Sequence, residues 1–109
     1  MIDNKWLRRQ YVAYNKRFFH DLLPEKLVVR FADINDKWAG VTCFDGDTKE
    51  PYEISIDKHL IKYPRYAKLV LLHELCHVSV GQKEKQYHGI LFKKEIKRLL
   101  DAGAFTPLL

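Results

Sequence analysis

The sequence contains little cysteine: Cys43 and Cys76 are the only two among 109 residues. Two cysteines are too few for a zinc ribbon or a disulfide framework, so we expect a protein of the reducing cytoplasm. No apolar run approaches the roughly 20 residues that cross a bilayer. The N-terminal residues Met1 to Lys5 also lack the apolar core of a secretory leader. We therefore predict a cytoplasmic protein that does not contact a membrane.

Internal repeats and low-complexity segments are absent as well. A hydrophobic content of 47% over this length suits one domain with a modest core. We predict a single domain over residues 1–109 and expect a monomer. The formal net charge is +5 at pH 7 and the sequence pI is about 9.2, which favours acidic partners such as nucleic acid.

A metal-binding pattern is present in the helical segment from Pro64 to Val80, where an apolar run precedes His73-Glu74-Leu75-Cys76-His77. Two histidines four residues apart lie on one face of a helix, one turn apart, so both imidazoles can bind one cation. Imidazole suits zinc, and a catalytic zinc takes about three protein ligands plus water. We predict one Zn²⁺ per chain. Glu74 lies on the same side, where a carboxylate can act as the general base.

The third ligand is expected from a second helix, which we predict to begin near Tyr87 after a helix stop at Gly81. A helix that returns after a short link would bring His88 or Glu95 near the metal. Because these two residues are seven positions apart, only one of them is expected to bind it. We predict His88, since imidazole matches the site and His88 lies nearest the turn. Glu95 is then a carboxylate that hydrogen-bonds to the metal ligands, or a carboxylate at the edge of the core.

The remaining segments predict a small α+β fold. A helix from Asn4 to about His20 carries an apolar stripe, formed by Leu7, Tyr11, Tyr14 and Phe18. Three short strands follow, at about 27–32, 38–44 and 52–56, in an antiparallel or mixed sheet. Gly40 in the second strand indicates a bulge or a close approach of another backbone. The final residues, 101–109, are expected to form a loose tail.

These segments together resemble the SprT-like zinc metalloproteases, the group that includes Spartan. The resemblance rests on His73-Glu74-Leu75-Cys76-His77 and on Tyr87-His88-Gly89-Ile90-Leu91-Phe92, which are similar to the family's His-Glu-x-x-His and His-Gly-x-x-Phe signature. Similarity extends from about Trp6 to Leu99. The resemblance implies a zincin-like protease core with the zinc ligands His73, His77 and His88 and the catalytic base Glu74. No cysteine-rich ribbon follows, so we expect a minimal form of the family.

The resemblance also implies a metallopeptidase that hydrolyses DNA-associated or DNA-crosslinked proteins, with single-stranded or crosslinked DNA as a partner. Such a role belongs to DNA–protein crosslink repair and predicts a nucleoid-associated location. A candidate phosphate-facing patch consists of Lys83, Lys85, Lys93, Lys94, Lys97 and Arg98. An ordinary solvated helix face explains the cations of the last helix equally well.

Two other functions remain open on the sequence. The first is a peptidase that acts on one partner protein without DNA. The second is a zinc-stabilised nucleic-acid-binding module without protease activity, although Glu74 has no use in a purely structural site. Spacing does not select the group that stabilises the oxyanion; the candidates are Tyr87, Tyr63 and Tyr66, and Glu95 is the further acidic residue near the site.

Overall fold

The computed structural model of the protein describes residues 2–35, 37–81 and 88–109. An N-terminal helix, α1 (Asn4–Phe18), precedes three strands, β1 (Val28–Ala32), β2 (Gly40–Phe44) and β3 (Pro51–Asp57). A 3-10 turn, Lys58–Lys62, leads into the long helix α2 (Pro64–Val80), and a shorter helix, α3 (Ile90–Asp101), follows. The architecture is α+β, as the sequence predicts.

The sheet has the strand order β1-β3-β2, with β1 parallel and β2 antiparallel to the central strand β3. In β3 the consecutive residues Ile54, Ser55 and Ile56 are buried, so both faces of this strand are covered. In β1 only Val29 and Phe31 are buried, while Val28 and Arg30 are exposed, which indicates one covered face. β2 is an edge strand: within the described ranges no strand pairs with its outer side.

Helix α2 lies at the centre of the core. Its buried residues include Ala67, Leu71, Leu72, Leu75 and Cys76, all fully shielded from solvent. A helix that is apolar around most of its circumference must pack on several sides. Accordingly, α2 contacts β2, β3 and α3, while α1 packs against β1. None of the described helices, α2 included, has the length and apolar character needed to cross a membrane.

Both ends of α2 are those that the sequence predicts. Pro64 is the first helical residue, and its fixed φ suits the helix. An N–H at this position has no partner within the helix, so its absence in proline costs no hydrogen bond. Gly81 ends the helix with a φ of 65°, a conformation that cannot continue a right-handed helix and that glycine adopts without strain.

The start of α1 differs from the prediction by one residue. Asp3 is the N-cap, and its carboxylate accepts a hydrogen bond of 2.8 Å from the backbone N–H of Trp6. Asn4 instead uses its side-chain oxygen to accept a hydrogen bond of 2.8 Å from the N–H of Phe31 in β1. Asn4 therefore ties the helix to the sheet, a contact between residues 27 positions apart.

The predicted loose tail is wrong for residues 101–109. A 3-10 turn, Thr106–Leu108, packs against α2, and the side chains of Ala104 and Leu108 are buried. Gly103 turns the chain at a φ of 82°, so that it folds back after α3. The sequence signal for a turn was correct, but the apolar residues that follow it complete the core.

Candidate metal centre

Three imidazoles from two parts of the chain meet beside α2. His73 and His77 lie one turn apart on the helix, with ring centroids separated by 5.0 Å. Nε2 of His88 lies 3.2 Å from Nε2 of His73 and 3.0 Å from Nε2 of His77. Two nitrogens bound to one tetrahedral zinc at about 2.0–2.1 Å would lie about 3.3 Å apart. The two distances from His88 are close to this spacing, and the ligand atoms of all three side chains lie within 4.8 Å of one another.

His88 reaches the site from a turn and not from a helix, which corrects the predicted start of the last helix. Its φ is 58°, and the next residue, Gly89, is extended and serves as the N-cap of α3. A left-handed residue cannot open a right-handed helix, so α3 begins only at Ile90. Positive φ at a non-glycine residue is uncommon and is concentrated at functional sites.

Phe92, in the first turn of α3, packs against all three imidazoles. Its ring centroid lies 4.4 Å from that of His77, 4.6 Å from that of His88 and 5.0 Å from that of His73. The sequence places Phe92 on the apolar face of the helix and in the family signature. The structure adds that this ring contacts all three imidazoles, a packing that can limit their orientation.

Burial sets the charge state of the two helical histidines. Burial, together with the smaller effects of the neighbouring imidazoles of His73 and His88, lowers the pKa of His77 to about 4. Burial also lowers the pKa of His73, with His88 as the second cause. Both rings are therefore neutral at pH 7, which is the form that binds a metal.

Glu74 is buried between α2 and β2, with only 3% of its surface exposed. Burial raises the pKa of its carboxyl group to about 7, and a hydrogen bond from Thr42 opposes this rise. The Thr42 hydroxyl donates this bond to Oε1 at 2.7 Å. No sequence motif marks Thr42, because the two residues are 32 positions apart and meet only through packing.

Gly40, at the start of β2, allows this close packing of strand and helix. A Cβ at this position would lie 2.6 Å from Cγ1 of Val70 and 3.2 Å from Oε2 of Glu74. A close approach does occur at Gly40, but the nearest groups are side chains of α2 and not, as was predicted, another backbone. The irregularity in the β2–β3 pairing lies elsewhere, between Cys43 and Phe44.

A cleft of about 330 Å³ opens beside these groups, between the beginning of β2 and the N-terminal half of α2. Its lining includes His73, Glu74 and His88. Trp38 and Tyr66 line the same cleft, with about half of each side chain exposed. The proposed metal ligands and the buried carboxylate therefore share one opening to solvent.

Glu95 lies in a network that joins three helices. Ser79 of α2 and Arg98 of α3 both donate hydrogen bonds to its carboxylate. Burial alone would raise the pKa of Glu95, but these bonds and the Arg98 charge outweigh it and hold the pKa below its usual value. Arg98 also donates to the backbone carbonyl of Phe18 at 2.7 Å. In the described ranges the hydrogen bonds of Glu95 go to Ser79 and Arg98, so its proposed role near the metal stays a prediction.

The cations of α3 are exposed, and two of them form ion pairs within that helix. Lys97 pairs with Asp101 at 2.8 Å and Arg98 pairs with Glu95. Lys93 and Lys94 are exposed on the same helix. The other predicted patch residues, Lys83 and Lys85, and the oxyanion candidate Tyr87 lie outside the described residues. The phosphate-facing patch accordingly remains a prediction.

Comparison with known proteins agrees with the geometry of the site. A search among curated proteins found no match to this chain. The model of the SprT-like family matches residues 7–107, a span that includes the three converging histidines and Glu74. This match covers nearly the whole chain of 109 residues. The chain therefore belongs to the SprT-like family.

Proposed function

We propose that this protein is a zinc-dependent metallopeptidase with a zincin-like core, in which His73, His77 and His88 bind the metal and Glu74 is the general base. The observation that carries the proposal is the convergence of three imidazoles, with Nε2 of His88 at 3.2 Å and 3.0 Å from those of His73 and His77, next to the buried carboxylate of Glu74. Membership of the SprT-like family, a family of metallopeptidase-like domains, supports it.

The donor set fits a zinc ion with one open position. Structural zinc sites are closed by four protein ligands, whereas catalytic sites use three. Cys76, the nearest cysteine in sequence, is fully buried and burial raises the pKa of its thiol to about 12, so it is a poor fourth ligand. A zinc ion bound by the three imidazoles would lower the pKa of a water molecule to about 7 and polarise a carbonyl group.

Glu74 supplies the proton transfers in this proposal. Thr42 holds one carboxylate oxygen, and the side chain lines the cleft in which a substrate carbonyl would lie. The carboxylate accepts a proton from the attacking water and then passes it to the leaving amine. Burial raises the proton affinity of this carboxylate, which suits a group that must accept a proton.

The edge strand β2 offers a way to bind an extended substrate. Its first residue, Gly40, borders the cleft, and Thr42 contacts the catalytic carboxylate. Backbone groups on the outer side of an edge strand can pair with an added strand, which binds a peptide with little regard to sequence. We propose that substrates are cleaved as extended segments along β2.

The proposal includes DNA-associated or DNA-crosslinked proteins as substrates. The net charge of +5 and the exposed Lys93 and Lys94 support this part. Cleavage of a DNA-bound protein, measured with and without single-stranded DNA, tests it. Equal rates in both conditions would favour a peptidase that acts on a partner protein without DNA.

A single experiment tests the central proposal. Zinc content and hydrolysis of an unfolded protein substrate are measured for the wild type, for the wild type with chelator, and for Glu74→Gln. We expect one zinc per chain in both proteins and a loss of activity with chelator that added zinc reverses. Turnover of Glu74→Gln should fall by at least about 100-fold, the contribution of a general base.

Two results would contradict the proposal. Hydrolysis by Glu74→Gln at the wild-type rate would remove the general base. Zinc binding without hydrolysis under any condition would favour the zinc-stabilised binding module.

A further inference from the structure

Two aromatic side chains in the cleft are neither proposed metal ligands nor the proposed general base. Trp38, just before β2, and Tyr66, in the first turn of α2, are 50% and 51% exposed, and both line the cleft that contains His73 and Glu74. The half-buried Leu69 and the buried Val70 of α2 add to the apolar lining. The wall next to the catalytic carboxylate is therefore largely apolar and open.

Large aromatic groups left in contact with water inside a concave site are typical of ligand contact. Trp38 and Tyr66 differ from the other exposed aromatic residues described in this protein because they lie in the cleft. Tyr52 and Tyr63 are 53% and 60% exposed, yet neither lines the cleft. Exposure alone therefore does not identify Trp38 and Tyr66 as candidates for ligand contact. Their position beside the proposed metal site does.

We infer that Trp38 and Tyr66 form a subsite for one bulky apolar side chain of the substrate, adjacent to the scissile peptide bond. The inference rests on the proposed peptidase function. A cleft of about 330 Å³ holds roughly ten water molecules at the volume that water has in the liquid. An aromatic or large aliphatic side chain displaces several of them and gains burial against two aromatic rings.

The charge of the cleft favours a protein side chain over a nucleobase. Proteins that stack bases on aromatic rings combine them with a groove of several cations that follow the phosphates. Among the described residues that line this cleft, Lys37 is the only lysine or arginine, and Glu74 adds a carboxylate. These residues would therefore neutralise few of the negative charges of a phosphate backbone.

The subsite defines a class of substrate. Bulky apolar residues are buried in most folded proteins and become accessible when a segment unfolds. A peptidase that requires both an extended strand at β2 and an apolar side chain at Trp38 would select unfolded or partly unfolded segments. Folded proteins, which hide these side chains, would be poor substrates.

The test uses the zinc-loaded protein and a series of soluble peptides built from Ala, Ser and Lys, each with one Phe moved along the chain, plus a reference without Phe. Mass spectrometry locates each cleavage. We expect the cut to stay at a fixed distance from Phe, with a kcat/KM at least about 10-fold above the reference. Trp38→Ala and Tyr66→Ala should each reduce the ratio of kcat/KM between the Phe peptides and the reference. In Trp38→Ala this ratio should fall to about twofold. Tyr52→Ala, equally exposed outside the cleft, should keep it.

A binding measurement separates the subsite from the chemistry. Labelled peptides are titrated onto zinc-loaded Glu74→Gln, with and without Trp38→Ala, and followed by fluorescence anisotropy. The Phe peptide should bind about 10-fold more tightly than the reference, and Trp38→Ala should remove the difference. Selective binding without hydrolysis by the wild type would support the subsite and contradict the peptidase proposal.

Other outcomes overturn the inference. If the cleavage site does not depend on the position of Phe, and Trp38→Ala has the same ratio of kcat/KM as the wild type, the peptidase proposal remains and the subsite is excluded. Loss of single-stranded DNA binding in Trp38→Ala, with peptide selectivity unchanged, assigns the aromatic wall to a nucleobase. Absence of both hydrolysis and selective binding removes both proposals.

Discussion

The hydroxyl of Thr42 on β2 donates a hydrogen bond of 2.7 Å to Oε1 of Glu74 on α2. The edge strand thereby holds the proposed general base as well as bordering the cleft. Because Glu74 is almost completely buried, few other donors can replace this bond. A buried acceptor that loses its donor costs about 1–3 kcal/mol.

We expect Thr42→Val to lower kcat/KM by about 10-fold at pH 7 with zinc content unchanged, because the carboxylate loses the bond that fixes its position. The hydrogen bond lowers the pKa of Glu74. Its loss should therefore raise that pKa and move the acidic limb of the kcat/KM profile to higher pH. Thr42→Ser keeps the hydroxyl and should retain most of the activity. Equal kinetics for the Val and wild-type proteins would show that the bond does not matter.

Gly40→Ala should destabilise the fold and the site together. The new Cβ would meet the stiff, β-branched Val70 at 2.6 Å, so strand or helix must move. Overpacking of this kind costs about 1–3 kcal/mol in the free energy of unfolding, measurable by urea titration. Gly46→Ala is the matched control, because no atom lies within 4 Å of its Cβ position. Similar losses in the two variants would contradict the close-packing explanation.

His88→Ala should weaken zinc binding by more than about 100-fold in a competition titration with a chelator. Loss of a residue that only hydrogen-bonds to a metal ligand already costs about 10–100-fold in affinity, and loss of the ligand itself should cost more. The control is His59→Ala. His59 is exposed and its Nδ1 lies 2.8 Å from Oδ1 of Asp57. If both variants bind zinc as tightly as the wild type, His88 is not a ligand.

The stability of the chelated protein should depend on pH through Glu74. Burial raises the pKa of this group from 4.5 to about 7 in the folded state, so the folded protein binds the proton more readily than the unfolded chain. The contribution of Glu74 to the stability of the wild type is therefore fully present near pH 4.5 and is lost as pH rises through 7. Glu74→Gln lacks this titration.

The difference in unfolding free energy between Glu74→Gln and the wild type should consequently grow by about 3 kcal/mol from pH 4.5 to pH 8. Urea titrations of both proteins in chelator measure this difference. The histidines titrate in both proteins, so their contribution cancels. A difference that is constant with pH would show that the carboxyl group titrates near its ordinary pKa.

Binding of single-stranded DNA should weaken as salt concentration rises, if the exposed cations of α3 contact phosphates. The double variant Lys93→Ala, Lys94→Ala should reduce the slope of log K against log salt concentration by about 1.4, or 0.7 for each contact. The double variant Lys16→Ala, Lys26→Ala, which removes two exposed lysines outside α3 and changes the net charge equally, serves as the control. Binding without salt dependence would remove these lysines from the proposed function.

The sequence by itself determined the features that depend on neighbours in the chain. The limits of α2 follow from Pro64 and Gly81, and the four-residue spacing of His73 and His77 places both rings on one face of that helix. The apolar face of α3, with Phe92 and Leu99 buried, follows from helical periodicity. Each of these features rests on interactions within one or two helical turns.

Only the tertiary structure decided which distant groups meet. His88 and Glu95 share a helical period in the sequence, but a left-handed turn brings His88 to the other two imidazoles, while Glu95 bonds to Ser79 and Arg98. Thr42 reaches Glu74 across 32 positions of the chain because Gly40 lets the strand approach the helix. The motif around His88 predicted that ligand, but the bonds of Thr42 and Glu95 arise from packing between elements, and no periodicity or motif along the chain encodes them.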